Sequence, residues 1–304
     1  MKLQTIIQIE SPEKLLSYNN KILMLGSCFA DEVGKILNDY KFEIKINPFG
    51  TLYNPYSIAN SIERLSSGKE FTKEDIIECL YGMRNGLPIK RYCSFYHHTS
   101  HSKESPQAFI DEANSRLAAD ALFFKNADTI IITLGTAWVF KHLKRNIIVS
   151  NCHKIPACEF SHELLNVQEC TNILKQILFK SDINETLALK YPDKNFIFTI
   201  SPIRHLKNGA HGNQISKSTL LLAIDELLSI NKISNNIAYF PAYEIMMDEL
   251  RDYRFYAADM IHPSDQAIEY IFDRFKHTFI SPKEYSAMED NLKKTKMLRH
   301  KELF

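Results

Sequence analysis

Five short runs of apolar, β-branched and aromatic residues, each bounded by turn residues and separated by amphipathic stretches, leave this chain few folds to adopt. The runs are 21–26 (Lys-Ile-Leu-Met-Leu-Gly), 43–47, 128–134, 195–201 and 236–241. Their length and composition suit strands buried on both faces. Between them, residues 28–40 place Phe29, Val33, Ile36, Leu37 and Tyr40 on one face of a helix. Residues 161–180 and 215–230 repeat the 3.6-residue period, the latter with Leu220, Leu221, Ile224, Leu227 and Leu228 inward. A last helix over 264–279 turns Ala267, Tyr270, Ile271 and Phe275 inward behind an N-cap at Ser264. Strands alternating with helices predict an α/β fold with a parallel sheet covered on both faces. Right-handed crossovers then gather the C-terminal ends of the strands on one edge, where ligands bind in open α/β sheets.

The sparse glycines fall on that edge. Of nine in 304 residues, Gly26, Gly50, Gly135, Gly209 and Gly212 follow predicted strands, which points to a crowded site made partly of backbone. Two long inserts, 51–127 and 136–194, leave from the same edge and are expected to form a cap or cleft walls around a single domain, 1–290. The second opens with a predicted β-hairpin around the polar turn Lys141–Arg145. The segment 291–304 carries five Lys/Arg against one Glu and reads as a polar C-terminal tail, either a solvated helix or a frayed end. A net charge of +1 supplies no global field for nucleic acid or an anionic membrane. No apolar run approaches the ~20 residues of a spanning helix. The first eight residues lack the apolar core of a secretory signal. A cytoplasmic location, with no nucleic-acid or membrane partner, is therefore expected. The six cysteines (28, 79, 93, 152, 158, 170) include no Cys-x-x-Cys pair and are expected to be free thiols.

Two stretches carry chemistry to the edge. In Leu25-Gly26-Ser27-Cys28-Phe29-Ala30, Ser27 sits where the first strand turns into a helix. Its hydroxyl can face the site, and its N–H lies where a developing oxyanion is stabilised; a helix N-cap is the plainer role. Cys28 is the alternative nucleophile, since a helix start can lower a thiol pKa. In Ala258-Asp259-Met260-Ile261-His262-Pro263-Ser264, Asp259 can orient the His262 imidazole. The order is Ser, Asp, His, but Phe29 excludes a Gly-x-Ser-x-Gly elbow. Cys152, His153, Cys158 and His162 match no familiar zinc spacing, so no metal is expected; His153 with Lys154 reads instead as a segment reaching over the cleft. Tyr92, Phe95, Tyr96, His97, His98 and His101 form an aromatic–histidine cluster, suited either to stacking on a sugar or to packing within a cap.

The pentapeptide Gly26-Ser27-Cys28-Phe29-Ala30 resembles the signature of the GSCFA family, a branch of the SGNH/GDSL-like hydrolases. Further stretches are similar to it: Asn47-Pro48-Phe49-Gly50-Thr51-Leu52-Tyr53-Asn54-Pro55, Asn151-Cys152-His153-Lys154-Ile155-Pro156, Ser201-Pro202-Ile203-Arg204-His205 and Asp259-Met260-Ile261-His262-Pro263-Ser264. The resemblance implies a flavodoxin-like three-layer α/β/α sandwich, strand order 2-1-3-4-5, and hydrolysis of acyl esters on carbohydrates or lipids without a cofactor. By position, Ser27 resembles the nucleophile, in the place of Ser in Gly-Asp-Ser. Gly50 resembles the glycine whose N–H joins the oxyanion hole, and Asp259 and His262 resemble the Asp-x-x-His pair. The third block departs: where the hydrolases have Gly-x-Asn, Gly135-Thr136-Ala137-Trp138 has Ala137. One oxyanion donor is worth about 2.7–4 kcal/mol, so Thr136, Trp138, Arg204 or His205 must replace it or turnover is weak.

The expectation is therefore a serine esterase. Ser27 attacks, His262 takes the proton and Asp259 supports the imidazolium. Ser27, Gly50 and Thr136 hold the oxyanion, and Arg204, His205, His153, Lys154, Trp138 and Tyr53 contact a small-molecule or carbohydrate ester. Acyl transfer from the same site, or ligand binding without turnover, are the alternatives, and the oligomeric state is left open.

Overall fold

In the computed structural model, which describes residues 4–84, 87–180, 188–230 and 236–302, the five predicted runs form one parallel sheet. They are β1 (Lys21–Gly26), β2 (Glu43–Ile46), β5 (Thr129–Leu134), β9 (Asn195–Ile200) and β10 (Ile237–Phe240). The spatial order is β2-β1-β5-β9-β10, which is second, first, third, fourth, fifth along the chain. Side chains alternate across the pleat. Leu23, Leu25, Ile130 and Ile132 face α2 (Pro55–Ser67), α3 (Pro106–Asn126), α4 (Val167–Leu178) and α5 (Gly209–Ile230). Ile22, Met24 and Ile131 face α1 (Cys28–Asp39) and α7 (Asp265–Phe279). These strand residues are at most 2% exposed, and each buried aliphatic side chain is worth about 1.5–3 kcal/mol. The result is a three-layer sandwich. No helix among the described residues is long and apolar enough to cross a membrane.

Local chemistry sets the helix ends. Ser27, Asn54 and Ser264 cap α1, α2 and α7 through their side-chain oxygens. Pro55 occupies the first turn of α2, and Gly68 ends it in the left-handed region. The expected helix 161–180 is corrected: Phe160–Leu164 is a strand, β8, and the helix α4 begins at Val167 behind an Asn166/Glu169 capping box. Phe160-Ser161-His162-Glu163-Leu164 also alternates with period two, and the hairpin β6 (Trp138–His142) and β7 (Ile147–Val149) offers it a free edge on β6. The polar C-terminal segment is helical. It continues α8 (Tyr285–Glu302), which packs on the end of α1: Asn291 Nδ2 donates to Tyr40 O (3.2 Å), Thr295 Oγ1 to Asp39 O (2.9 Å) and Arg299 Nη1 to Asp39 Oδ2 (2.8 Å). Arg299 thus lies beside the negative end of α1.

The two inserts serve different purposes. In 51–127, α2 and α3 are crossover helices over the sheet, and the hairpin β3 (Ile76–Arg84) and β4 (Leu87–Ser94) stands outside it. In 136–194, β6, β7 and β8 form a separate antiparallel sheet. The end of β4 meets this sheet at a seam: Ser150 N–H donates to Phe95 O (2.9 Å), and the Phe95 ring packs on His142 and His153. The aromatic–histidine cluster is consequently interior packing and supplies no platform in the cleft. Phe95 and His97 are buried, and His97 lies among Phe49, Phe71 and Phe109. Burial pushes His97 well below the usual histidine range and takes His101 and His153 down to about 4.

Two expectations follow from this architecture. An unfolded histidine binds a proton near pH 6.5, whereas these native ones resist it. The stability they confer is complete above pH 6.5 and is lost as the pH falls towards 4. Urea midpoints should therefore drop across that window, and less steeply for His153→Gln. At the end of β1, a Cβ on Gly26, held at φ +144°, would lie 2.2 Å from Thr133 O. Gly26→Ala should cost about 3 kcal/mol or more in urea unfolding.

Candidate active site

Gly26 lets the chain leave β1 abruptly, and the next two residues diverge. Ser27 is wholly buried. Its N–H donates to Thr133 O (3.2 Å) and its Oγ accepts from Phe29 N–H (3.3 Å). A side chain that caps its own helix turns back on the first turn, so Ser27 neither faces His262 nor offers a free N–H to an oxyanion. Both expectations for Ser27 are corrected. Cys28, the first residue of α1, turns into the cleft instead, with Sγ 3.8 Å from His262 Nε2. Counted from glycine, Gly-Asp-Ser has its serine third, and the third residue here is Cys28.

The loop before α7 holds the imidazole firmly. His262 Nδ1 lies 2.6 Å from Asp259 Oδ2, while Asp259 Oδ1 accepts the N–H groups of Ile261 (2.9 Å) and His262 (3.0 Å). The backbone N–H of His262, then its ring, then the Ile261 N–H hold the Asp259 carboxyl down at about 2. Asp259, His262 and Cys28 thus form a line from carboxylate to imidazole to sulfur. Burial pushes the Cys28 thiol up, and Asp31 and Glu32 add to this against the pull of its own N–H. The helix start therefore does not leave a resting thiolate, and the sulfur needs a base.

Around this line lies a cleft of about 400 Å³, whose lining includes Cys28, Tyr53, Asn54, Thr136, Trp138 and His262. Several expected contacts are absent from it. Gly50, at φ +81°, donates its N–H to Asn47 O (2.8 Å) and serves a turn beneath His98; it has no N–H left for an oxyanion. His153 is wholly buried, and Lys154 Nζ sits 4.3 Å from the centre of the Tyr81 ring. Left-handed backbone at both residues turns them into the seam, so neither reaches over the cleft; the neighbours Asn151 and Cys152 do.

Thr136 lines the cleft, but its hydroxyl is tied to Ser216 Oγ (2.9 Å) and accepts from Trp138 N–H (3.0 Å). The Trp138 indole N–H is spent on Gly212 O (3.1 Å). Ala137 is wholly buried.

Other donors do face the cleft. As the first residue of α1, Cys28 has an N–H with no acceptor inside the helix. Asn54 Oδ1 accepts from Ser57 N–H (2.9 Å), which fixes the amide and leaves Nδ2 without a partner among the described residues. Sequence reasoning missed Asn54; an Asn immediately before Pro at a helix start was the available signal. His205 also lines the cleft. Burial, with Lys217 and His262 adding, takes it down to about 3, so it is neutral, and its Nε2 has no partner. Behind it, the wholly buried Lys217 donates to Gly135 O (2.8 Å) and Ser201 O (2.6 Å), and burial brings it down to about 7. A lysine on the inner face of a predicted helix, three residues before Leu220, was the overlooked sign. Among the described residues no group of three or more His, Cys, Asp or Glu could hold a metal ion.

Residues 21–275 match the family model described as the GSCFA family. No curated protein and no solved structure matches the chain. A match over most of the chain, with the signature pentapeptide turning β1 into α1, establishes that the chain belongs to the GSCFA family.

Proposed function

We propose that the protein is a thiol-dependent acyl hydrolase in which Cys28 is the nucleophile, His262 the base and Asp259 the group that orients it. The observation that carries this reading is the 3.8 Å approach of Cys28 Sγ to His262 Nε2, with Nδ1 already held by Asp259. Membership of the GSCFA family is consistent with hydrolase-like chemistry.

His262 Nε2 takes the thiol proton as Sγ attacks the acyl carbonyl carbon. The oxyanion is met by the Cys28 N–H at the start of α1 and by Asn54 Nδ2, which take the place that Ala137 leaves empty. Collapse breaks the bond to the leaving oxygen, which receives the proton from His262 and departs as an alcohol. Water then gives a proton to His262 and attacks the thioester; the carboxylic acid leaves and Cys28 regains its proton. Asp259 stays ionised throughout and keeps Nε2 aimed at the sulfur. The faces of Tyr53 and Trp138 suit a sugar ring on the leaving-group side.

With p-nitrophenyl acetate as substrate, Cys28→Ala should lower kcat/KM by about 10³-fold or more, whereas Ser27→Ala should stay within about tenfold and lose roughly 1 kcal/mol of stability with its cap. Activity that survives Cys28→Ala and vanishes with Ser27→Ala would overturn the assignment. Because the thiol is pushed up, iodoacetamide alkylation of Cys28, read by mass spectrometry, should still be accelerating above the pH at which an ordinary cysteine, near pKa 8.5, levels off.

A further inference from the structure

A second cavity, of about 240 Å³, adjoins the cleft, and Arg204 lines both. It is built after the C-terminal end of β10, by the single turn α6 (Ala242–Glu244), the π-helical turn Ile245–Glu249 that continues it, and the first turns of α5. Its wall combines the aromatic and apolar Tyr243, Met246, Leu250, Tyr253 and Tyr256 with the polar Asn213 and Gln214. Tyr253 is 69% exposed, so its ring is open to a ligand. π-Turns recur at functional sites.

Charge distinguishes this chamber from an ordinary dent. Arg251 and Asp252, which also line it, are each paired, Arg251 with Asp248 (2.6 Å) and Asp252 with Arg254 (3.0 Å). Arg204 has no carboxylate within ion-pair distance among the described residues. Its Nη1 donates to Met260 O (3.1 Å), and its guanidinium lies 5.5 Å from the centre of the Tyr256 ring. An unpaired guanidinium on the wall between two cavities is a fitting receptor for a carboxylate or phosphate oxygen.

We propose that the chamber receives the acyl half of the substrate, an apolar chain that carries an anionic group where it passes Arg204. This rests on the hydrolase reading above: the carbonyl sits at Cys28, the leaving group lies along Trp138, and the chain runs past Arg204 towards Tyr256 and Met246.

The test compares p-nitrophenyl acetate, hexanoate and hemisuccinate. The wild-type protein should favour the hexanoyl and succinyl esters over acetyl by about tenfold or more in kcat/KM. Ala210→Trp, which fills the chamber from its exposed rim, should lower the hexanoyl-to-acetyl ratio at least tenfold, and Arg204→Gln the succinyl-to-acetyl ratio. Calorimetric titration of hexanoate and monomethyl succinate into Cys28→Ala reads the same subsite without turnover. If acetate is hydrolysed through Cys28 while the three esters react alike and neither ligand binds, the chamber assignment is overturned alone. If no ester is hydrolysed but hexanoate binds Cys28→Ala and not its Ala210→Trp counterpart, the hydrolase reading falls and the chamber stands.

Discussion

The site depends on one backbone contact, the seating of Gly26 on the carbonyl of Thr133. At φ +144° the chain can bend from β1 directly into α1, and no side chain could occupy the 2.2 Å left to a Cβ. The same residue is wired to the second strand's loop: its N–H donates to Asn47 Oδ1 (2.8 Å) and its carbonyl accepts Leu52 N–H (2.8 Å). Asn47 Nδ2 in turn donates to Asp31 on α1 (2.7 Å). The end of the first strand, the loop that brings Tyr53 and Asn54, and the start of α1 are thereby one rigid unit. Cys28 inherits its direction from that unit rather than from its own packing.

The sheet could be read from the chain because its central strands are buried on both faces, and continuous apolar runs such as Thr129–Leu134 admit few other environments. Ser264 and the Asp259–His262 contact were readable for a related reason, since both depend on separations of three residues within one segment. What escaped was direction at single-residue resolution. Ser27 and Cys28 both sit at a strand-to-helix turn, and only the cap geometry decides which of them faces inward. His153 and Lys154 failed likewise: left-handed backbone at both residues reverses where a plain loop would send them. Phe160–Leu164 satisfies both periods, so its pairing with β6 was decided by a strand edge that no local pattern reveals.

Burial keeps His205 neutral and raises the Cys28 thiol, so the charged side chains that line the cleft are the cations Arg204 and Lys207. Carboxylates stand behind them, Asp259 on His262 and Asp31 and Glu32 along α1. Lys217 adds a further donor from beneath, where it satisfies carbonyls at the ends of β5 and β9 that the ladder leaves open. Removing a polar group from water without a partner is costly; here two carbonyls and one buried ammonium solve each other's problem and brace the wall on which His205 rests.

Sulfur in place of oxygen changes what this geometry must accomplish. A thiolate is a strong nucleophile even when it is scarce, so a thiol raised by burial loses less reactivity than a hydroxyl would, provided that a base stands in reach. Asp31 and Glu32, one turn along α1, oppose thiolate formation. On the hydrolase reading proposed above, the helix start and His262 would favour charge transfer as the carbonyl arrives, so that activation follows substrate. The buried Ser27 behind Cys28 keeps the turn closed, and the sulfur is the atom that the cap leaves facing the cleft.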